Sequence, residues 1–255
     1  MGAPTLVLLR HGESVGNARG MFTGWLDVPL SERGADEARA AGRALRDAGI
    51  FPDVVHTSVL RRAVVTALLV LDAVDRLWVP LHLTWRLNER HYGALQGATK
   101  EQVLAQTGQE QFASWRRSYA VAPPPLEAGS AYAQDADPRY AGEPVPRTES
   151  LADVPVRAMP YWYDAVEPDL RAGRTVLVVA HGNSLRALLK VLQGIDDDAI
   201  AHLEVPSAAP LVFRPTVVPV GAPSRLGEGR YLDPAAAQAA VERAWAAYGG
   251  PSGPR

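Results

Sequence analysis

Thr5-Leu6-Val7-Leu8-Leu9-Arg10-His11-Gly12-Glu13-Ser14 is an apolar run that stops abruptly at a polar, glycine-containing loop. That pattern is read as a buried strand emptying into a site. The layout returns late in the chain: Thr175-Val176-Leu177-Val178-Val179-Ala180 is followed by His181-Gly182-Asn183-Ser184. In an open α/β sheet, ligands lie beyond the carboxyl ends of the strands. Two strands that each deliver a His-Gly pair to that edge imply one site built from both. A histidine beside an arginine suits attack on phosphate, because imidazole is nucleophilic near neutral pH and guanidinium binds phosphate oxygens.

Outward from these two stretches, the pattern predicts an α/β fold with the order βαβα, an inserted helical segment, then αβα. Ser31 is placed to cap a helix through about Leu45. Asp53 to His56 reads as the second strand, and Val59 to Val74 as the helix after it. A short third strand is expected near Trp78 to Leu83, with helices over Lys100–Gln106 and Gln109–Tyr119. Residues 121–147 are rich in proline, glycine, alanine and tyrosine without periodicity, as in a lid or a disordered stretch. A helix is expected from near Ser150 to about Leu170, with Pro155 removing one helical hydrogen bond or kinking its first turns and Pro160 interrupting it again. The second His-Gly unit continues as a helix from Ser184 to Leu192. Asp233–Tyr248 is an Ala-rich helix candidate, and Gly-Gly-Pro-Ser-Gly-Pro-Arg at the end reads as a disordered tail, 249–255.

Composition bounds the function. The 255 residues are 47% hydrophobic and 21% charged, ordinary for one globular domain with a large core. The reading is a single catalytic domain over residues 1–248. No stretch approaches the roughly 18 apolar residues of a membrane span, and no signal peptide is recognisable. With no cysteine, disulfides, thiolate metal sites and cysteine nucleophiles are excluded. A net charge of −2 does not favour nucleic acid. A cytoplasmic enzyme is expected, with neither membrane nor nucleic-acid partners. Of the 26 basic residues only Lys100 and Lys190 are lysine; where arginine is so preferred, a surviving lysine marks a place for a compact point charge.

Arg10-His11-Gly12-Glu13 resembles the signature of the histidine phosphatase superfamily. Asn17, Phe22-Thr23-Gly24-Trp25, Leu30-Ser31-Glu32-Arg33-Gly34, Thr57-Ser58-Val59-Leu60-Arg61-Arg62-Ala63, Leu87-Asn88-Glu89-Arg90-His91-Tyr92-Gly93-Ala94-Leu95-Gln96-Gly97 and His181-Gly182-Asn183-Ser184-Leu185-Arg186-Ala187-Leu188 follow in the order of its cofactor-dependent phosphoglycerate mutases. The similarity covers roughly residues 5 to 213, and its most specific part is 87–97. It implies a three-layer fold, a mostly parallel sheet flanked by helices, with the helical and loop insertion forming an active-site lid. It also implies interconversion of 2- and 3-phosphoglycerate through a phosphohistidine primed by 2,3-bisphosphoglycerate, without a metal ion, in a homodimer or homotetramer.

Roles follow from the residue types and the resemblance together. His11 is the expected nucleophile. Arg10, Arg62 and His181 would bind the oxygens of the transferring group, with Arg62 near a helix N-terminus that also attracts phosphate. Glu89 is the expected proton donor and acceptor, closely followed by Tyr92; its competing role is an ion pair with Arg86 or Arg90. Lys100, Arg116 and Arg117 form the reserve of positive charge for a second anionic group, although one of the adjacent arginines could belong to a solvated face. By resemblance, Ser14, Asn17, Thr23, Gly24, Gly182 and Asn183 complete the substrate-binding set.

A hydrolase that releases the phosphoryl group to water would share His11, Arg10, Arg62 and His181, and differ in how well water is excluded. A non-catalytic phosphate sensor has no use for both histidines and Glu89. The block at 87–97 and the cations at 100, 116 and 117 point to the mutase. The chain departs from the family at Thr148-Glu149-Ser150, usually Gly-Glu-Ser. It departs again at Val205-Pro206-Ser207-Ala208-Ala209-Pro210, where a Thr-Gly turn is usual.

Overall fold

The computed structural model describes residues 3–215 and 226–248; the expected tail, 249–255, lies outside them. In chain order the elements are β1 (Thr5–Arg10), α1 (Val15–Ala18), α2 (Glu32–Asp47), β2 (Val54–Thr57), α3 (Arg61–Ala73), β3 (Leu81–Leu83) and α4 (Lys100–Arg117). They continue with α5 (Asp153–Tyr161), α6 (Glu167–Arg171), β4 (Thr175–Ala180), α7 (Gly182–Gln193), α8 (Asp197–His202), β5 (Leu211–Phe213), β6 (Arg230–Tyr231) and α9 (Pro234–Tyr248). The six strands form one sheet in the order β3-β2-β4-β1-β5-β6. β3, β2, β4 and β1 run parallel, while β5 and β6 add antiparallel at the other edge. This is the three-layer α/β fold expected.

The apolar runs are continuous because both faces of the sheet are covered. Side chains alternate across a strand. Leu6 and Leu8 therefore join Val176 and Val178 under α5 and α7, through Ala158, Leu185, Leu188 and Leu192. Val7 and Leu9 join Val55, Leu177 and Val179 under α2 and α3, through Ala41, Leu45, Ala67 and Val70. Fully burying one Val or Leu is worth about 1.5–3 kcal/mol. A surface pair such as Arg39–Asp36 contributes about 0–1 kcal/mol. The two apolar layers therefore hold the register.

The register brings the two His-Gly loops together. β1 and β4 are neighbours, with Arg10 opposite Ala180, and the His11 amide donates to the Ala180 carbonyl at 3.0 Å. Ser31 caps α2 as expected, accepting from the Gly34 amide. The buried positions of α2, Gly34, Ala38, Ala41, Gly42 and Leu45, keep the spacing of one helical face. Its first turn presses on the loop after β1. A Cβ at Gly34 would stand 1.9 Å from the Glu13 carbonyl oxygen, and one at Gly12 would stand 2.2 Å from the Gly34 oxygen. Only glycine at both positions allows this approach.

Several local expectations are modified. The two helices around residue 108 form one run, α4, broken at Gly108 with φ 77°. It ends at Arg117, short of Tyr119. The third strand contracts to Leu81–Leu83; Trp78 is 73% exposed beneath the Arg76 guanidinium, 5.1 Å from its ring. Pro155 does not kink its helix, because it stands in the first turn of α5, where backbone N–H groups have no intrahelical acceptor. Pro160 acts later: α5 passes into a π-helical turn, Trp162–Val166, before α6. The periodicity did not anticipate α8, β5 or β6, each of which is six residues or fewer.

Residues 121–147 contain one regular turn, the 3₁₀ segment Pro138–Tyr140. Thr148 ties the ends of this segment by donating to the Pro123 carbonyl at 2.7 Å. No helix among the described residues is long and apolar enough to cross a membrane.

At the unusual turn near residue 208, Ala208 has φ 50°, a left-handed conformation that a Cβ disfavours by about 1–2 kcal/mol. Ala208→Gly should therefore raise stability by about 0.5–1 kcal/mol after allowing for the looser unfolded chain, seen as a higher urea midpoint. Gly34→Ala should lower stability by about 1–3 kcal/mol through overpacking, and should impair the loop that carries His11. A neutral Gly34→Ala midpoint would contradict the close approach.

Candidate active site

His11 follows β1 and is 3% exposed. Its Nδ1 lies 2.6 Å from the Gly12 carbonyl oxygen. A carbonyl only accepts, so Nδ1 carries the proton and the lone pair sits on Nε2. Arg62 Nε donates to that Nε2 at 3.3 Å. Burial, followed by the charges of Arg62 and Arg10, holds the imidazole well below its ordinary pKa against the pull of the Gly12 carbonyl. The ring is neutral at physiological pH.

His181 stands at the N-cap of α7, its ring centroid 4.9 Å from that of His11. Burial and the charge of Arg62 lower its pKa well below the ordinary value too. Its Nε2 is 2.7 Å from Ser58 Oγ, at the end of β2. Arg62 is fully buried in the first turn of α3. Its Nη1 and Nη2 donate to the carbonyls of Leu26 and Gly24, each at 2.8 Å. Burial brings Arg62 down to about 10, still fully charged at neutral pH. Its neighbour Arg61 is exposed, so the two adjacent arginines divide as solvated and buried.

Glu89 is 8% exposed. Its Oε1 accepts from the backbone amides of Arg90 and Asn183 at 2.8 and 3.1 Å. The ion-pair alternative is not realised: the Arg86 guanidinium lies 4.9 Å from the Trp85 ring centroid and that of Arg90 4.6 Å from Tyr92. The main-chain oxygen of Glu89 takes two donors, Trp25 Nε1 at 2.7 Å and Arg157 Nη2 at 2.9 Å. Tyr92 OH accepts from Asn183 Nδ2 at 2.9 Å.

A cleft of about 610 Å³, mouth included, opens over these groups. Arg10, Asn17, Thr23, Glu89, Tyr92, Lys100, Arg116, Arg117, Gly182 and Asn183 line it, so ten of the expected residues meet at one place. His11, Arg62, His181 and Gly24 are buried behind that lining. Ser14 is brought near but not onto the wall: it is fully buried, and its hydroxyl donates to Asn17 Oδ1 at 2.9 Å within the capping box of α1. None of the lining residues comes from 121–147. That segment packs behind Glu89, where Tyr140 accepts from Asn88 Nδ2 at 2.9 Å and lies 4.8 Å from Trp25.

The cleft is strongly basic. Lys100, the first residue of α4, is pushed down to about 7 by burial and by Arg116 and Arg10. Among the described residues, buried Arg10 Nε and Arg117 Nε and Nη2 have no hydrogen-bond acceptor. Buried donors without partners are rare and fit a site that receives an anion. No group of three or more metal-ligating side chains occurs among the described residues. Four lining residues, Met21, Phe22, Arg186 and Glu204, were given no role in the sequence reading. Arg186 lies within the His181 motif, three residues after Asn183, and its Nη1 donates to Asn183 Oδ1 at 2.9 Å. Glu204 carries no sequence signal.

The family model described as "Histidine phosphatase superfamily (branch 1)" matches residues 6–141 and 129–216. The chain is 58% identical to a 2,3-bisphosphoglycerate-dependent phosphoglycerate mutase from Thermobifida fusca, covering 93% of this chain and 96% of the relative. A protein of the same name from Streptomyces avermitilis is 57% identical, with 93% and 94% covered. Among solved structures, a mycobacterial glucosyl-3-phosphoglycerate phosphatase superposes with a TM-score of 0.67 at 28% identity, over 90% of this chain and 97% of that one. The shared signature, the sheet order and the paired histidines agree: this chain belongs to branch 1 of the histidine phosphatase superfamily.

Proposed function

We propose that the chain is a phosphoglycerate mutase dependent on 2,3-bisphosphoglycerate, interconverting 2- and 3-phosphoglycerate in glycolysis and gluconeogenesis. The observation that carries this reading is a neutral His11 Nε2 set among arginines behind a cleft that Glu89 and a further group of cations line. The name shared by relatives above 55% identity supports a mutase over the phosphatase alternative. A cytoplasmic setting and assembly as a homodimer or homotetramer belong to the same proposal.

The unpartnered donors of Arg10 and Arg117 fit a ligand with anionic groups at both ends. When bound, 2,3-bisphosphoglycerate supplies the phosphoryl group that primes His11. His11 Nε2 carries that group, and Arg10, Arg62 and His181 neutralise its oxygens. In transfer to phosphoglycerate, the N–P bond breaks as a substrate hydroxyl forms the new O–P bond. The hydroxyl proton passes to the Glu89 carboxylate. In the reverse step Glu89 returns the proton to the leaving oxygen while His11 takes the phosphoryl group. The two amides on Oε1 fix the carboxylate, leaving Oε2 for the proton. Lys100, Arg116 and Arg117 orient the substrate's second anionic group, with Asn17, Thr23, Tyr92 and Asn183 as neutral partners. Gly24 and Ser14 hold Arg62 and Asn17 in place, and Gly182 leaves room beside Arg10.

Turnover of 3-phosphoglycerate should rise on adding 2,3-bisphosphoglycerate, and His11 should take an acid-labile phosphate label that His11→Ala abolishes. If the enzyme hydrolysed the bisphosphate as fast as it isomerised monophosphates, the mutase reading would give way to a phosphatase. Glu89→Gln should keep ligand binding yet slow transfer by about 100-fold or more; near-normal turnover would remove Glu89 from the proton path.

Lys100 generates a pH prediction. With no ligand bound its side chain titrates near 7, and a bound anion favours its charged form. Affinity for 3-phosphoglycerate should fall as pH rises from 7 to 9, where phosphate itself no longer titrates. Binding at pH 8 should take up about one proton, measurable by calorimetry in two buffers of different ionisation enthalpy. Lys100→Met should abolish the uptake.

A further inference from the structure

Glu204 is an acid set in a cleft otherwise furnished for anions. It lies between α8 and β5, on a strap fastened to the site: Arg10 Nη1 donates to the Val205 carbonyl at 2.9 Å, and the Ala208 amide donates to the Arg10 carbonyl at 2.9 Å. Glu204 Oε1 stands 2.5 Å from Arg117 Nη1, with both side chains about 15% exposed. The remaining nitrogens of Arg117, Nε and Nη2, are buried without an acceptor among the described residues. Here one carboxylate oxygen takes one nitrogen and leaves two waiting.

Arg117 lines the cleft beside Lys100 and Arg116, where the proposed reading, on which this inference rests, places the substrate's second anionic group. The Glu204 carboxylate has the charge and planar geometry of the group that Arg117 would receive. It also has somewhere to go. Glu204 borders a second groove that continues from the cleft along α2 and α9, lined by alanines, by Arg33 and Arg243, and by the acids Glu13, Glu37 and Asp233.

We propose that Glu204 tunes how tightly the site holds its two-ended substrate, as an internal competitor that the second anionic group of a substrate must displace from Arg117. A ligand with a single phosphate, held at His11, gains nothing from displacing it. A ligand with two anionic groups at the right separation must displace it, so the pair lowers the affinity for phosphoglycerates and leaves that for inorganic phosphate unchanged.

The test compares inorganic phosphate with 3-phosphoglycerate by titration calorimetry, on wild type, Glu204→Gln, Arg117→Ala and the double variant. Glu204→Gln should bind 3-phosphoglycerate about five- to tenfold more tightly, on the scale of a partly buried ion pair. It should leave inorganic phosphate within about twofold. In turnover, KM should fall with no rise in kcat, the signature of binding gained equally in ground and transition states. In the Arg117→Ala background the substitution should change nothing. Glu204→Ala should reproduce the gain should the glutamine variant fold poorly.

Unchanged or weaker 3-phosphoglycerate binding in both Glu204 variants would overturn the competitor role. So would an equal gain for inorganic phosphate, which would reduce Glu204 to a general negative charge. A wild type that binds 3-phosphoglycerate no better than inorganic phosphate would instead remove the mutase reading itself.

Discussion

The parallel pairing of β1 with β4 is the constraint on which the rest of the site depends. Because Arg10 stands opposite Ala180, both strands end at one level and both histidines leave the sheet at the same edge. The backbone bond from His11 to Ala180 extends the ladder one residue into the loop, so His11 is held by main chain. The 4.9 Å separation of the two rings follows from this register, with the helix-cap position of His181 and the Gly12–Gly34 approach closing the remaining freedom. Slipping the register by one residue would exchange the faces of the strand and part the histidines.

Packing this many cations into a buried place has a consequence for each group. Burial disfavours charge, and neighbouring guanidinium groups disfavour it further. The imidazoles respond by staying neutral, which leaves the lone pair on His11 Nε2 available. Lys100 responds by titrating near 7. The arginines cannot respond within the physiological range, so they remain charged and hold the potential that attracts an anion. Glu204 is subject to the opposite balance: burial raises its pKa, but Arg117, Arg10 and Arg186 together hold it below the ordinary carboxylate value.

Glu89 owes its position to a separate framework. Trp25 and Arg157 grip its main-chain oxygen. Arg157 is in turn fixed by Glu149 at 2.7 Å, whose other oxygen accepts from the His91 amide at 2.7 Å. Tyr140, from the insertion, packs against Trp25. Residues 121–147 are thereby connected to Glu89 through Tyr140 and Trp25.

The sequence by itself determined the two strand–loop units, the capped helix after Ser31, the break near Gly108, and most of the residues that line the cleft. These are written in local code: continuous apolar runs, a capping serine, glycines at close approaches, and contiguous motifs. Tertiary structure decided what local code cannot carry. Whether Pro155 kinks a helix depends on where that helix starts, and here it starts two residues earlier. Ser14 and Asn17 look like equivalent polar candidates in the motif, yet only Asn17 lines the cleft, because Ser14 turns inward to cap α1. Glu204 sits in no motif, and its role depends on Arg117 meeting it from a helix that ends 87 positions earlier in the numbering. Long-range charge pairing is set by how strands and helices stack in three dimensions, and no spacing along the chain records it.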